Sequence, residues 1–223
     1  MTDFATLADA FASRELWQII ALSLSVSLSA TAAAAIVGLP LGAALAIGRF
    51  PGKRAIVVTA NALLGLPPVV VGLGLYLLLS HSGPLGNLGL LFTPEAMIVA
   101  QAVLALPIIT ALAHRAAEES WAAFGDALMD LGASRVRAVP ALIAMAQAAM
   151  LTAALAGFGR TVSEVGAIII VGGNIAGYTR TMTTAIVLET MKGNLPLALG
   201  LGLVLIGLTV MICASAFVLA RTP

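Results

Sequence analysis

Long runs without Asp, Glu, Lys or Arg are the feature that most limits what this chain can fold into. The first run covers residues 16–48 and the second covers residues 55–94. A spanning helix needs about 20 mostly apolar residues, and backbone groups inside lipid must hydrogen-bond within the protein. With 61% hydrophobic and 9% charged residues, the chain also lacks the polar surface of a water-soluble protein of its size. The sequence therefore predicts an all-α integral membrane protein.

Charge-free runs and the turn residues between them predict five spans. The second run is long enough for two helices, but we expect one span in it, because the turn-forming stretch S-H-S-G-P-L-G-N at residues 80–87 ends the helix near Leu79. The predicted spans cover residues 17–48, 55–79, 96–114, 138–159 and 195–220. No soluble domain or linker is visible in the sequence, so we expect a single transmembrane domain over residues 1–223.

The basic residues predict the orientation of these spans. An odd number of spans places alternate loops on the same side, and cytoplasmic loops carry the excess of Lys and Arg. Seven basic residues then fall on one side and four on the other. The larger group is Arg49, Lys53, Arg54, Arg115, Arg135, Arg137 and Arg221, and the smaller group is Arg14, Arg160, Arg180 and Lys192. We therefore expect the N-terminus outside and the C-terminus in the cytoplasm.

A charged, amphipathic segment at residues 118–137 separates the third and fourth predicted spans. Its apolar residues recur at helical spacing, and Gly132 ends the pattern; they are Trp121, Phe124, Leu128 and Leu131. A short amphipathic helix with a span at each end either lies on the membrane as a connector or fills a groove on a soluble partner. The periodicity leaves both interpretations open.

Several stretches resemble the permeases of type I ABC importers. Asp126, Ala127 and Gly132 match the coupling motif E-A-A-x-x-x-G, with Asp for Glu and Leu128 for the second Ala, while its I-x-L-P end becomes L-I-A-M at residues 142–145. L-P-P-V-V-V-G-L-G-L at 66–75 and G-R-T-V-S-E-V-G-A at 159–167 resemble molybdate and tungstate permeases. The stretch at 171–190 resembles the tungstate branch in particular.

The resemblance covers residues 17–220 and implies both partners and a substrate class. It implies a homodimeric pore in the bacterial inner membrane, cytoplasmic ATPase subunits that hold ATP and magnesium, and an external binding protein that delivers a tetrahedral oxyanion. Tungstate is the expected oxyanion, with molybdate or sulfate as alternatives. The resemblance places the ATPase-coupling residues at Asp126, Ala127, Leu128, Leu131 and Gly132.

Charged and hydroxyl side chains near the outer side are candidates for the anion path. Arg160 and Glu164 lie four residues apart, so a helix stacks them on one face. An ionisable pair so close to hydrocarbon either lines the translocation path or clamps the turn that follows it. Arg180 and Thr181 offer donors suited to an oxyanion, or they serve in docking or as scaffold.

Prolines within the spans are the last feature with a mechanical interpretation. Pro67 and Pro68 remove backbone donors inside the second span and favour a kink, although prolines in spans are often only structural. Val69 and Val70 follow them near the middle of the span and are candidate gate residues.

The sequence predicts no catalytic centre, metal site or cofactor in this chain. His81 and His114 fall on opposite sides of the membrane, and G-R-F-P-G-K-R at 48–54 departs from a phosphate-binding loop. We expect contact with membrane lipid and none with nucleic acid. One alternative is a secondary transporter, disfavoured because no acidic or His relay lies in mid-membrane. The other is a purely structural subunit.

Overall fold

The computed structural model describes residues 14–219, and this part of the chain contains helices and turns without strands. Nine α-helices follow one another within the described residues: α1 Arg14–Ile47, α2 Lys53–Ala62, α3 Pro68–Leu79, α4 Pro94–Asp130, α5 Arg135–Met145, α6 Gln147–Val162, α7 Gly166–Gly172, α8 Met182–Met191 and α9 Leu195–Leu219. Short 3₁₀ helices occupy Leu63–Gly65 and Gly86–Leu88. The predicted all-α class is confirmed.

Three of the described helices, α1, α4 and α9, are long and apolar enough to cross a membrane. Two further pairs have the length and composition of one span each, but α2 and α3 meet at 102° and α5 and α6 at 79°. The described residues therefore offer between three and five crossings. Ala220 and Arg221, which the sequence assigned to the end of the last span and to the basic side, lie outside the described residues.

The pair α1 and α4 forms the centre of the bundle. Val26 shares a buried cluster with Met97, and further along both helices Ile47 shares one with Ala117. Residue numbers rise together, so the two helices are parallel. We call the two ends of this pair the Arg14 end and the Ile47 end, after the first and last residues of α1. Because α1 and α4 are parallel, α2 and α3 must return the chain between them.

Small residues allow the two central helices to approach closely. A Cβ added at Gly42 of α1 would lie 2.6 Å from the carbonyl oxygen of Thr110 and 2.7 Å from the Cβ of Ala113. Neither contact leaves room for a side chain, and the clash involves backbone that cannot rotate away. Glycine at this position therefore sets the distance between α1 and α4.

The second half of the chain runs back along this pair. At the start of α6, Met150 lies in the cluster of the Ile47 end. After α7, the Met182 amide donates to Ser23 Oγ at 2.8 Å, and Ala185 packs beside Leu16. The segment from α6 to α8 thus travels from the Ile47 end to the Arg14 end, where α9 begins.

The segment predicted as a separate coupling helix is divided differently in the structure. Residues 118–130 are the last turns of α4, which runs unbroken from Pro94 to Asp130 although it contains Pro107 and Gly125. A separate short helix, α5, follows the turn, but most of it lies within the expected fourth span at 138–159. The expected coupling segment 118–137 therefore comprises the end of α4, a turn at 131–134 and the first residues of α5.

Candidate coupling surface and anion path

The turn at residues 131–134 is built around Gly132 at the Ile47 end. Gly132 has φ +81°, and its amide donates to the Met129 carbonyl at 2.9 Å. The Ala133 amide donates to the Leu128 carbonyl at 3.1 Å. This pair of hydrogen bonds is a Schellman motif, which ends a helix with a residue in the left-handed conformation that glycine adopts most readily. The glycine of the coupling motif is therefore the residue that ends α4.

The apolar residues of the expected coupling surface separate into two sets. Leu128 packs against the buried cluster of the Ile47 end, whereas Leu131 is 85% exposed. Side chains three residues apart on a helix point in directions that differ by about 60°. The apolar stripe is therefore wide enough for Leu128 to face the bundle while Leu131 faces away from it. Asp126 and Ala127 are exposed, and Val136, which the sequence analysis passed over, is 81% exposed. The turn thus presents Asp126, Ala127, Leu131, Gly132 and Val136, while Leu128 supports it from inside.

Arg160 and Glu164 form the ion pair that their spacing predicted. The Glu164 side chain is 2% exposed, and its second carboxylate oxygen accepts from the Ala167 amide at 3.0 Å. The Thr183 hydroxyl donates to the Glu164 carbonyl at 2.8 Å. Glu164 therefore joins α6, α7 and α8 as a structural clamp. The Arg160 side chain remains 25% exposed, so part of it lies at the surface of the bundle.

A buried polar layer beside this clamp was missed by the sequence analysis. Gln101 of α4 is 1% exposed and donates from Nε2 to the Thr161 carbonyl at 2.9 Å. The Thr161 hydroxyl lies 3.0 Å from the Thr31 hydroxyl of α1. The available signal was the spacing of Ser23, Ser27 and Thr31, which places three hydroxyls on one face of the first span.

Arg180 and Thr181 lie near each other in sequence but in different surroundings. Thr181 is 3% exposed and is the N-cap residue of α8, where its amide donates to the Thr184 hydroxyl at 3.0 Å. Its hydroxyl therefore faces the protein interior. Arg180 donates to the Glu15 carboxylate at 3.3 Å and lines a pocket of about 230 Å³ at the Arg14 end.

The same pocket holds a second pair of opposite charges. Lys192 Nζ lies 2.8 Å from Glu189 Oε1, and the Asn194 amide donates to Glu189 Oε2 at 2.9 Å. The hydrogen bond from Lys192, with that from Asn194, holds the pKa of Glu189 below its usual range despite partial burial. The pocket is thus lined by balanced charges rather than by an excess of cations.

The proline pair explains the sharp bend between α2 and α3. A residue before proline avoids the helical conformation. Leu66 and Pro67 both precede a proline, and both have ψ 120°. Beyond the bend, Val69 and Val70 are 57% and 60% exposed.

Val69 also lies beside the clamp. A Cβ added at Gly166 would lie 2.9 Å from Val69 Cγ2 and 3.6 Å from Glu164 Oε1. The structure therefore brings Val69, one of the two candidate gate valines, next to the Glu164 carboxylate. The turn at 131–134 lies apart from them, at the Ile47 end.

Comparison with known proteins identifies the class and then the family. No protein-family profile matches the chain. It is 41% identical over 211 residues to a probable anion ABC transporter permease of Haloferax volcanii, which covers 92% of this chain and 91% of that protein. It is 40% identical over 192 residues to the tungstate uptake system permease of Peptoclostridium acidaminophilum, covering 86% and 84%. The molybdenum transport system permease of Azotobacter vinelandii is 32% identical over 180 residues, covering 75% and 77%.

With its apolar helices, the chain is a multi-pass membrane protein of the ABC permease class. It belongs to the family that includes the tungstate and molybdate permeases, as the sequence predicted.

Proposed function

We propose that the chain is the pore-forming subunit of an ATP-driven importer for a tetrahedral oxyanion, with tungstate as its substrate. The observation that carries this proposal is the 40% identity to a tungstate uptake permease over most of both chains. Molybdate is the second candidate, because a molybdenum permease is a relative at 32% identity.

The proposed pore is a homodimer in which each chain crosses the inner membrane five times, through α1, α2–α3, α4, α5–α6 and α9. The exposed Val69 and Val70 support this arrangement, since two protomers facing each other through α3 would enclose an apolar constriction. The Ile47 end faces the cytoplasm, and the basic residues Lys53, Arg54, Arg115, Arg135 and Arg137 close to that end support this orientation.

The turn at 131–134 is the proposed site of ATPase docking. Leu131 and Val136 are apolar and more than four-fifths exposed. Burial of either side chain against a partner would lower the free energy. Asp126 beside them supplies a charge that fixes register with a soluble partner. The ATPase brings ATP and magnesium, and its closure moves the turn.

Substrate enters from the Arg14 end, where an external binding protein delivers it. Arg160 is the proposed contact along the path, because its partly exposed guanidinium keeps donors that Glu164 does not use. Arg180 is a second, outer contact, at which the oxyanion would have to compete with the Glu15 carboxylate for the guanidinium. Nucleotide drives transport through its different affinities for the inward-facing and outward-facing states.

The proposal is tested by metal accumulation in cells that lack this chain and are then complemented with it. The cells receive equal low concentrations of tungstate, molybdate and sulfate, with and without a working ATPase partner. We expect tungsten uptake that needs both chains and resists excess molybdate. Molybdenum uptake that excess tungstate does not reduce would transfer the assignment to molybdate.

Uptake that survives loss of the ATPase but collapses with the proton gradient would make the chain a secondary transporter. Equal uptake in cells that lack the chain and in complemented cells would show that the chain has only a structural role. Each result therefore selects one of the functions that the sequence left open.

A further inference from the structure

The C-terminal end of α1 receives basic side chains from two other segments. The last carbonyls of a helix have no partner within it and carry partial negative charge. Lys53 Nζ donates to the Ala46 carbonyl at 2.8 Å, and Arg135 Nη1 donates to the Ile47 carbonyl at 2.8 Å. Lys53 follows α1 almost directly in the chain. Arg135 arrives from the far side of the turn at 131–134, so its contact joins distant elements.

Arg135 is held in place by the end of α4 as well. Its guanidinium carbon lies 5.4 Å from the centre of the Trp121 ring. A planar guanidinium donates in its plane while its face rests on an aromatic ring, a combination that a Lys ammonium does not provide. Arg135 is the first residue of α5. One side chain therefore joins α1, α4 and α5 just behind the exposed turn.

Arg137 provides a contrast two residues further on. It lies in the same first turn of α5 and carries the same charge. Its side chain is exposed and makes no hydrogen bond or ion pair among the described residues, and only its amide is engaged, by the Ser134 hydroxyl at 3.4 Å. The connection to α1 therefore depends on position 135 and not on basic charge in general.

We propose that Arg135 is a positioning residue that locks the turn at 131–134 to the end of α1, so that movement of the ATPase reaches the first span. This inference rests on the proposed docking of an ATPase at that turn. Without the hydrogen bond from Arg135 to the Ile47 carbonyl, Leu131 and Val136 still bind the ATPase, but movement of the turn no longer moves α1. ATP hydrolysis then continues while transport falls.

The test uses the complete complex of permease, ATPase and binding protein in liposomes, with oxyanion uptake and ATP hydrolysis measured together. A hydrogen bond from a charged donor is worth enough to change an equilibrium about tenfold or more, so Arg135→Gln should lower uptake per ATP by about that factor. Arg135→Lys keeps the charge without the stacked geometry and should recover part of the ratio. The matched control Arg137→Gln should leave the ratio unchanged.

Equal losses in Arg135→Gln and Arg137→Gln would overturn the inference, because charge in α5 would then be the cause. Loss of ATPase co-purification in Arg135→Gln would overturn it too, since Arg135 would be a docking residue. If Arg135→Gln does not accumulate in membranes, Trp121→Leu replaces it. That variant keeps the charge and removes the stacking, so an unchanged ratio would refute the lock.

Gly132→Trp separates this inference from the proposed function. A bulky side chain at the exposed turn, where φ is +81°, should both distort the turn and block docking, and so abolish transport. Normal transport by Gly132→Trp would refute the docking site itself. Loss of transport in Gly132→Trp together with a normal ratio in Arg135→Gln would refute the lock alone.

Discussion

Individual residues in this bundle combine a structural task with a chemical one, and Glu164 is the clearest case. Its spacing from Arg160 predicted an ion pair, and the pair is present. The hydrogen bond from the Ala167 amide and the contact of Thr183 with the Glu164 carbonyl depend on how α7 and α8 fold back, which local sequence does not specify. The sequence therefore predicted the pair, with a clamp on the following turn as one of its two expected roles, but not the connection of that clamp to α8.

The two roles of the pair are separable by substitution. Arg160→Met leaves the buried Glu164 carboxylate without its partner, which typically costs about 3 kcal/mol or more of stability. The double variant Arg160→Met/Glu164→Gln keeps an acceptor for the Ala167 amide and removes the unpaired charge. We expect the unfolding temperature in detergent to fall in the single variant and to recover largely in the double variant.

Transport then assigns the role of Arg160. If the guanidinium contacts the oxyanion, the double variant folds but does not transport. Restored transport in the double variant would instead leave the pair as a clamp and remove Arg160 from the path.

At the scale of helices, breaks and caps decided where the predictions succeeded. The proline pair at 67–68 predicted a kink, and the structure has a bend of 102° at the two successive residues that each precede a proline. The amphipathic pattern at 118–131 announced a helix but gave no sign that α4 continues into it. Periodicity identifies a buried face, whereas α4 continues through Pro107 and Gly125 against their low helix propensity because its packing against α1 outweighs that propensity.

The proposed apolar constriction on α3 is accessible to cysteine labelling. Cys213 is the single cysteine of the sequence, so its replacement by Ala removes background labelling. In a Cys213→Ala chain, Val69→Cys and Val70→Cys should react several-fold faster with a charged, membrane-impermeant thiol reagent than Val71→Cys. Val71 is the matched control because it is partly buried against the cluster of α4 and α7. We expect faster labelling at these two positions because a charged reagent reaches only thiols in contact with water, and a pore-facing surface contacts water whereas a lipid-facing surface does not.

Nucleotide should change the labelling of Val69→Cys and Val70→Cys in the assembled complex if these residues open and close the path. Equally slow reaction at all three positions would mean that α3 faces lipid, and the gate would then lie elsewhere.

For the molecule as a whole, the class was predictable and the arrangement was not. Charge-free runs suffice to predict membrane helices, because lipid excludes unpaired polar groups regardless of sequence detail. The parallel pairing of α1 with α4 depends on small residues such as Gly42, and glycine and alanine are spread throughout the chain. Many helix pairs therefore satisfy the same packing rule, and sequence alone does not select among them.

The different proposed roles of the two ends of the molecule give a third prediction, because only the Ile47 end should bind the ATPase. Leu131→Asp places a charge on the exposed apolar surface of the turn and should reduce co-purification of the ATPase about tenfold or more, since a desolvated charge at an interface costs several times RT. The matched control is Leu88→Asp, in a 3₁₀ helix of the loop before α4, where the leucine is 59% exposed. We expect Leu88→Asp to retain the ATPase, and equal loss in both variants would point to general destabilisation.

The parallel pairing of α1 and α4 has a consequence for how the chain is made. A ribosome delivers α1 to the translocon long before α4 has been synthesised, so the first helix must wait in the bilayer without its main neighbour. Its buried hydroxyls are suited to that delay. Ser23 donates to the Ile19 carbonyl and Thr31 to the Ser27 carbonyl, each at 2.7 Å within α1 itself. The hydroxyls that later contact α6 and α8 therefore already have hydrogen-bond partners within α1. The newly synthesised helix can thus insert alone and pack against the other helices once they have been made.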